Sequence, residues 1–366
     1  MSMVIYIIVA IFMFGVLIAV HEFGHFITAK LLGVKVNEFA IGMGPRLLHR
    51  QKGETEYTLR AFPIGGFCAM EGEDGDSQDP RSFQNKPAWK RFIVLLAGSL
   101  MNFLTGVLIF LVLYSGTGAY ISTTIAGFAD GFTAQGQQGL MVGDRVVEID
   151  GHPIWLMSDV ALFFDRGDDT YLDITVVRDG ERVELEGLYM PWIVTQNADG
   201  TQSAKRGVTF AVKEAGVLDR LQLAWYNTID TVRLVWMSLG DLFSGAVGLR
   251  DMSGPIGIVS MIGQEATQAQ EEAQAAGGNA VAAAATTIFY IVAFIAINLS
   301  VMNLLPIPAL DGGQIFFLLV DKVYSLFTRR RINPKYLGYI NAAGMICLLA
   351  LMAVVALSDV FKQFGH

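Results

Sequence analysis

Charged side chains make up only 16% of these 366 residues, and just two residues are cysteine. Scarce charge beside 53% hydrophobic residues excludes an ordinary soluble globular protein, in which about a quarter of residues are charged. Cys68 and Cys347 fall in a loop and in an apolar run, which excludes a disulfide framework. Basic residues are outnumbered, 26 Lys and Arg against 34 Asp and Glu for a net charge of −8, and this argues against a nucleic-acid partner. A basic stretch is missing ahead of the first apolar run, and no small-residue cleavage site ends it. The N-terminus therefore reads as a retained membrane segment, not a cleavable signal peptide.

What is present is apolar and unevenly spread. Four stretches are candidate membrane spans: about Val4–Ile27, Phe92–Leu113, Ile288–Leu305 and Ile340–Leu357. At 1.5 Å per residue each covers, or nearly covers, a hydrocarbon core of about 30 Å. Charge sets their orientation. The loop Ala29–Arg91 holds ten Lys and Arg, and Lys322, Arg329, Arg330, Arg331 and Lys335 crowd the loop after the third span. The segment Gly116–Ala285 holds ten basic against twenty-two acidic residues. Basic loops stay in the cytoplasm, so the termini and the acidic middle segment are expected outside.

Two of the five histidines lie in His21-Glu22-Phe23-Gly24-His25, at the end of seventeen uncharged residues, Val4–Val20. Residues four apart share a helix face, so His21 and His25 can offer two imidazoles to one zinc ion, with Glu22 beside them to take a proton from water. The bland alternative is that the three polar residues mark where the helix leaves the bilayer. Ionisable groups inside a span are costly and usually mark function.

Between the first two spans, Val34–Gly42 and Thr55–Phe62 alternate in polarity and predict a small antiparallel sheet. A turn is expected at Gly44-Pro45, and Glu71–Arg81 reads as a charged loop. The apolar residues of the sheet could enter the membrane only where protein covers the backbone polar groups. In the middle segment, Tyr120–Phe128 is extended, Ser158–Arg166 reads as a helix, and Leu172–Leu185 reads as a hairpin turning at Asp179-Gly180. Leu218, Leu221, Trp225, Ile229, Val232, Trp236, Leu239 and Phe243 recur at helical spacing. This stripe suits a helix on a membrane surface or packed on protein. Gln268–Thr287, rich in Ala and Gln, reads as helix or linker.

In Asn303-Leu304-Leu305-Pro306-Ile307-Pro308-Ala309-Leu310-Asp311-Gly312-Gly313, two prolines end the third span. A carboxylate flanked by apolar helix needs a counter-charge. Zinc would supply one, with His21, His25 and Asp311 as a three-ligand set leaving a fourth position for water. That requires the first and third spans to pack together. Read alone, Asp311 is equally well a turn residue.

With these residues in hand the chain resembles the site-2 protease family of intramembrane zinc metalloproteases, in the branch of the bacterial sigma-E-regulating protease. The resemblance covers nearly the whole chain: HEFGH, the GMGP and PIGGF loop, Ser253-Gly254-Pro255-Ile256-Gly257-Ile258, and NLLPIPALDGG. A segment Ile121–Val212 with Gly139-Leu140, Gly143-Asp144 and Ile149-Asp150-Gly151 resembles one PDZ domain, a module that adds extended peptide to a sheet edge. The resemblance implies a four-helix membrane protein with a membrane-associated β-loop and one periplasmic PDZ domain. The expected divisions are 1–120 for spans one and two, 121–212 for the PDZ domain, 213–285 for the amphipathic helix and linker, and 286–366 for spans three and four. It implies Zn²⁺ on His21, His25 and Asp311, Glu22 as catalytic acid/base, and Asn303 holding substrate or oxyanion. It also implies that Pro63–Met70 pairs with unwound substrate. Best-known members of the branch carry tandem PDZ domains, and this chain departs from them in having one.

The expected reaction is hydrolysis of peptide bonds within single-span membrane proteins, such as an anti-sigma factor or a remnant signal peptide. It would occur in the bacterial inner membrane, with the active site toward the cytoplasm and peptide termini as partners of the PDZ domain. Two other classes fit parts of the pattern: a PDZ-bearing membrane scaffold with structural zinc, and an ion-coupled transporter using the broken third span.

Overall fold

The computed structural model describes residues 3–73, 77–166, 170–196, 202–248, 254–328 and 334–364. Ser253 and the basic run Arg329–Arg331 lie outside them. The chain divides into two compact units, Tyr114–Asn227 and the remainder, formed by Met1–Leu113 with Thr228–His366.

The larger unit opens with α1 (Met3–Leu31), an unbroken apolar helix. It stops where Gly33 turns to φ +75° and Val34 N–H reaches back to Ala29 O at 2.8 Å, the left-handed stop that glycine favours. Strands β1 (Val36–Lys52) and β2 (Thr55–Met70) follow, then α2 (Ala88–Ser115). Four helices are long and apolar enough to cross a membrane, with spans Ile8–Leu31, Ala88–Ser115, Ala280–Asn303 and Gly338–Lys362. The third begins eight residues ahead of the expected Ile288. Its Asn279 side chain accepts from Val281 and Ala282 N–H and so fixes the helix start. His21 lies thirteen residues beyond Ile8 and ten before Leu31, about 20 and 15 Å along the helix.

The expected turn at Gly44-Pro45 is absent, because β1 runs through it. Both strands instead bend. Gly44 takes φ +86° and Gly65 φ +88°, conformations a side chain resists, and the GMGP and PIGGF motifs coincide with these bends. The bends fold two strands into four pairing segments. Phe39 pairs with both Cys68 and Tyr57, Ala40 with both Phe67 and Thr58, and Ile41 with both Gly66 and Leu59, while Leu48–Lys52 pair with Leu59–Thr55. Thr55–Leu59 is thus an inner segment, flanked on both sides. The sheet has two free edges among the described residues, Leu48–Lys52 and Gly66–Met70, and the second is the one beside His21 and Glu22. The sheet runs along α1: a Cβ on Gly15 would strike Pro63 O, so Pro63 lies level with a residue two turns before His21.

Gly24 of α1 touches Ala97 and Met101 of α2, and Gly106 of α2 touches Ile297. These close approaches use small residues, as membrane helices do. Leu17 packs with Val292 and Ala296, which joins the first and third spans as the ligand argument requires.

The smaller unit contains β3 (Ala119–Phe128), β4 (Arg145–Ile149), β5 (His152–Pro153), α3 (Met157–Arg166), β6 (Tyr171–Arg178), β7 (Glu181–Tyr189), β8 (Ile193–Gln196), β9 (Gln202–Lys205) and β10 (Val208–Glu214). Its main sheet has the order β10-β3-β4-β6-β7, with β5 on β4 and β8-β9 apart. Val146, Ile149, Val160, Leu172, Ile174 and Val176 are buried and form its core.

Helix α4 (Val217–Ser244) crosses the division between the units, and α5 (Pro255–Ala275), α6 (Ala280–Asn303), α7 (Asp311–Thr328) and α8 (Pro334–Phe364) complete the chain. Along α4 the buried side mixes Leu223, Ala224 and Val235 with polar residues. Asn227, Thr228, Asp230 and Thr231 are buried, while Leu218, Trp225, Trp236 and Phe243 are exposed. The SGPIGI motif opens α5 with Pro255 at its first turn.

Candidate metal centre

Two imidazoles and one carboxylate converge within the larger unit. Helical spacing on α1 places His21 and His25 on one face, with their Nε2 atoms 3.1 Å apart. Asp311 opens α7 after the double-proline break. Its Oδ2 lies 3.1 Å from His21 Nε2 and 3.3 Å from His25 Nε2, yet it accepts no hydrogen bond. The two glycines after Asp311 are needed for this fold-back, since a Cβ on Gly312 would meet Leu304 and Leu305 O, and one on Gly313 would meet Ile307 O.

Three donor atoms 3.1–3.3 Å apart fit zinc. Tetrahedral bonds of about 2.0–2.1 Å separate ligand atoms by about 3.3–3.4 Å. His25 is committed to that arrangement, because its Nδ1 lies 2.8 Å from Val94 O. A carbonyl only accepts, so Nδ1 carries the proton and Nε2 is left with its lone pair. A buried carboxylate oxygen without a donor is costly and is satisfied by a cation. No other cluster of His, Cys, Asp and Glu with this convergence occurs among the described residues.

The donors open onto a cavity of about 550 Å³ whose wall includes Glu22, Phe67, Cys68, Met70 and Asn303. Glu22 shares this wall with Phe67, Cys68, Ala69 and Met70 of the strand edge. Its Cγ lies against Gly66, where a Cβ would come within 3.7 Å. Every candidate named from the sequence, His21, Glu22, His25, Asn303 and Asp311, is therefore at this cavity. Asn303 has a second neighbour, since its Nδ2 is 3.5 Å from His21 Nδ1.

Helix α2 supplies what the motifs did not reveal. Val94 O holds His25, a Cβ on Gly98 would collide with both imidazoles, and Asn102 Nδ2 lies 3.5 Å from His21 Nδ1. These positions are four apart and so share one face. The signal in the sequence was a glycine and an asparagine at that spacing inside an otherwise apolar span.

The loop beside the sheet is held by ion pairs. Lys35 lies 3.2 Å from Glu71 and 3.4 Å from Asp79, and Lys30 and Arg81 both meet Glu54. Hydrogen bonds from Ser77, Asn37 and Lys35 draw the Glu71 carboxyl down to about 2.

Residues 9–351 match the sequence profile of Peptidase family M50. A candidate zinc metalloprotease of Clostridium perfringens is 35% identical over 359 residues, covering 97% of this chain and 98% of that one. One of Fusobacterium nucleatum is 33% identical, covering 98% and 99%. The Regulator of sigma-W protease RasP of Bacillus subtilis is 25% identical, covering 97% and 98%.

Proposed function

This chain belongs to peptidase family M50 and is a membrane-embedded zinc metalloprotease, and from that premise we propose that it cleaves single-span membrane proteins within their transmembrane segments. The observation that carries the reading is the triangle of His21 Nε2, His25 Nε2 and Asp311 Oδ2, with both histidines inside the first span and Glu22 on the wall of the same cavity. His21, His25 and Asp311 would hold the ion. Bound zinc supplies a Lewis acid for the scissile carbonyl and lowers the pKa of water toward about 7.

The chain's own residues do the rest. Glu22 Oε takes a proton from the attacking water and returns it to the leaving amine nitrogen. Asn303 lines the cavity and offers an amide N–H to the substrate carbonyl or oxyanion. A transmembrane helix hides its peptide bonds in its own hydrogen bonds, so the substrate must unwind. Gly66–Met70 offers an unpaired edge beside the donors, where an unwound segment adds as a strand. Ile41, Met43, Leu47, Leu48 and Phe62 of the sheet are exposed and apolar, which suits entry into lipid.

The excess of Lys and Arg in 29–91 supports a cytoplasmic side for that loop and an outer, periplasmic side for Tyr114–Asn227 in a bacterial inner membrane. The strand order of that unit, with α3 between β5 and β6, supports a PDZ domain that binds peptide termini. The relative named for regulating a sigma factor favours an anti-sigma factor over a remnant signal peptide as substrate.

The test is a catch. Glu22→Gln, expressed in cells, should retain zinc and accumulate with uncleaved single-span proteins. A photo-reactive residue at Ala69 should crosslink to them, and one at Leu59, in the inner segment, should not. A zinc-loaded Glu22→Gln protein that cleaves at the wild-type rate would sink the mechanism, and crosslinks from Leu59 alone would sink the strand-addition step.

A further inference from the structure

Asn102 is 1% exposed in the middle of a membrane helix, and its Oδ1 is buried with no hydrogen-bond partner. Its Nδ2 faces His21 Nδ1 at 3.5 Å. If His21 Nε2 is the metal donor, Nδ1 carries the ring proton, and two N–H donors then oppose each other while an acceptor is stranded beside them. Rotating the amide by 180° about its Cβ–Cγ bond removes the clash of donors and gives the acceptor a partner, with Nδ2 taking the position Oδ1 held. Oδ1 then accepts from His21 Nδ1–H, and the amide keeps its shape.

We propose that Asn102 is a positioning residue that fixes the tautomer and ring angle of His21, as Val94 O does for His25. The inference rests on the reading of His21 as a zinc ligand. It also divides the two asparagines near His21 Nδ1. The imidazole has one Nδ1 proton to give, and Asn102 is the fully buried partner outside the cavity wall, while Asn303 lines that wall. Asn102 therefore holds the ring, and Asn303 is left for substrate. Gly98, one turn earlier on α2, is the space into which both rings fit.

The experiment uses the full chain in detergent and reads zinc affinity by chelator competition, together with melting of the metal-free protein. Asn102→Leu should weaken zinc binding by about 10–100-fold, the usual cost of losing the partner of a metal-bound histidine, with metal-free melting unchanged. Asn102→Asp keeps an acceptor and should bind zinc at least as well as wild type. Asn303→Leu should lose cleavage with zinc affinity intact. Asn102→Ala replaces the leucine variant if that one fails to fold. Wild-type affinity in Asn102→Leu overturns the proposal. So does equal weakening in Asn102→Asp with lower metal-free melting, which would mean packing only, and so does zinc loss confined to Asn303→Leu. His21→Ala separates the two levels: if it still holds zinc tightly, the ligand assignment itself has failed.

Discussion

Two buried carboxylates, one in each unit, are treated in opposite ways. In Tyr114–Asn227, Asp144 is 1% exposed but fully engaged, taking Arg178 Nε and Nη2 at 2.8 and 2.7 Å and Met141 N–H at 2.8 Å. Asp159 is likewise buried and caps α3 through Trp155 and Leu156 N–H. In the membrane unit, Asp311 Oδ2 accepts nothing and shares its surroundings with two imidazoles whose lone pairs point at it. A buried charge that is satisfied within the fold holds the fold together. One left unsatisfied, facing other donors of the same kind, is a place kept for a ligand.

That contrast can be broken at several points. The largest effect belongs to Glu22→Gln, which should lower cleavage of a membrane substrate by about 10²–10⁴-fold with zinc content per chain unchanged. Asp311→Asn should follow, with a loss of zinc affinity larger than the roughly 10–100-fold typical of outer-shell changes. The metal-free Asp311→Asn protein should melt no lower than metal-free wild type, because an unsatisfied charge has been removed. Asp144→Ala should behave in reverse. It strands Arg178 and should cost about 3 kcal/mol, seen as faster hydrogen exchange in β4 and β6, with zinc affinity unaltered. If Asp311→Asn destabilised the metal-free protein and Asp144→Ala did not, the contrast would be wrong.

The smallest effect concerns pH. Glu71 is held near 2, below its ordinary value of 4.5, by Ser77, Asn37 and Lys35. A depressed carboxyl stabilises the folded state above its unfolded pKa, and that contribution fades as pH falls from about 4.5 toward 2. Proteolytic nicking of the loop after Met70 should therefore rise across that window, and Glu71→Gln should flatten the rise.

Much of this was written in local pattern. Apolar runs gave the four spans, and spacing of four gave the imidazole pair. The Asp-Gly turn at 179–180 gave the β6-β7 hairpin. Asp311 needed more, because its meaning depends on α1 and α6 packing together, which follows from Leu17 meeting Val292 and Ala296 and not from any local signal. The sheet was misjudged in detail because alternation identifies strands but not their neighbours. Only the bends at Gly44 and Gly65 make Thr55–Leu59 an inner segment. The stripe Val94, Gly98 and Asn102 stayed hidden for a different reason. One of its members acts through a backbone carbonyl and another through having no side chain, and neither leaves a chemical signature in the sequence.

The contact between Gly15 and Pro63 carries a consequence for selectivity. It sets the sheet beside an apolar span, and wherever water is scarce every peptide group needs a partner. If substrate adds at Gly66–Met70 as proposed, it trades one set of backbone bonds for another, and the exchange would be governed by how firmly the guest helix holds together, not by which side chains it displays. An enzyme that binds substrate in this way would sample mechanical weakness. Two substrates with unrelated sequences but an equally frail turn at the same depth would be cut alike, and a single residue that stiffens that turn would protect either one.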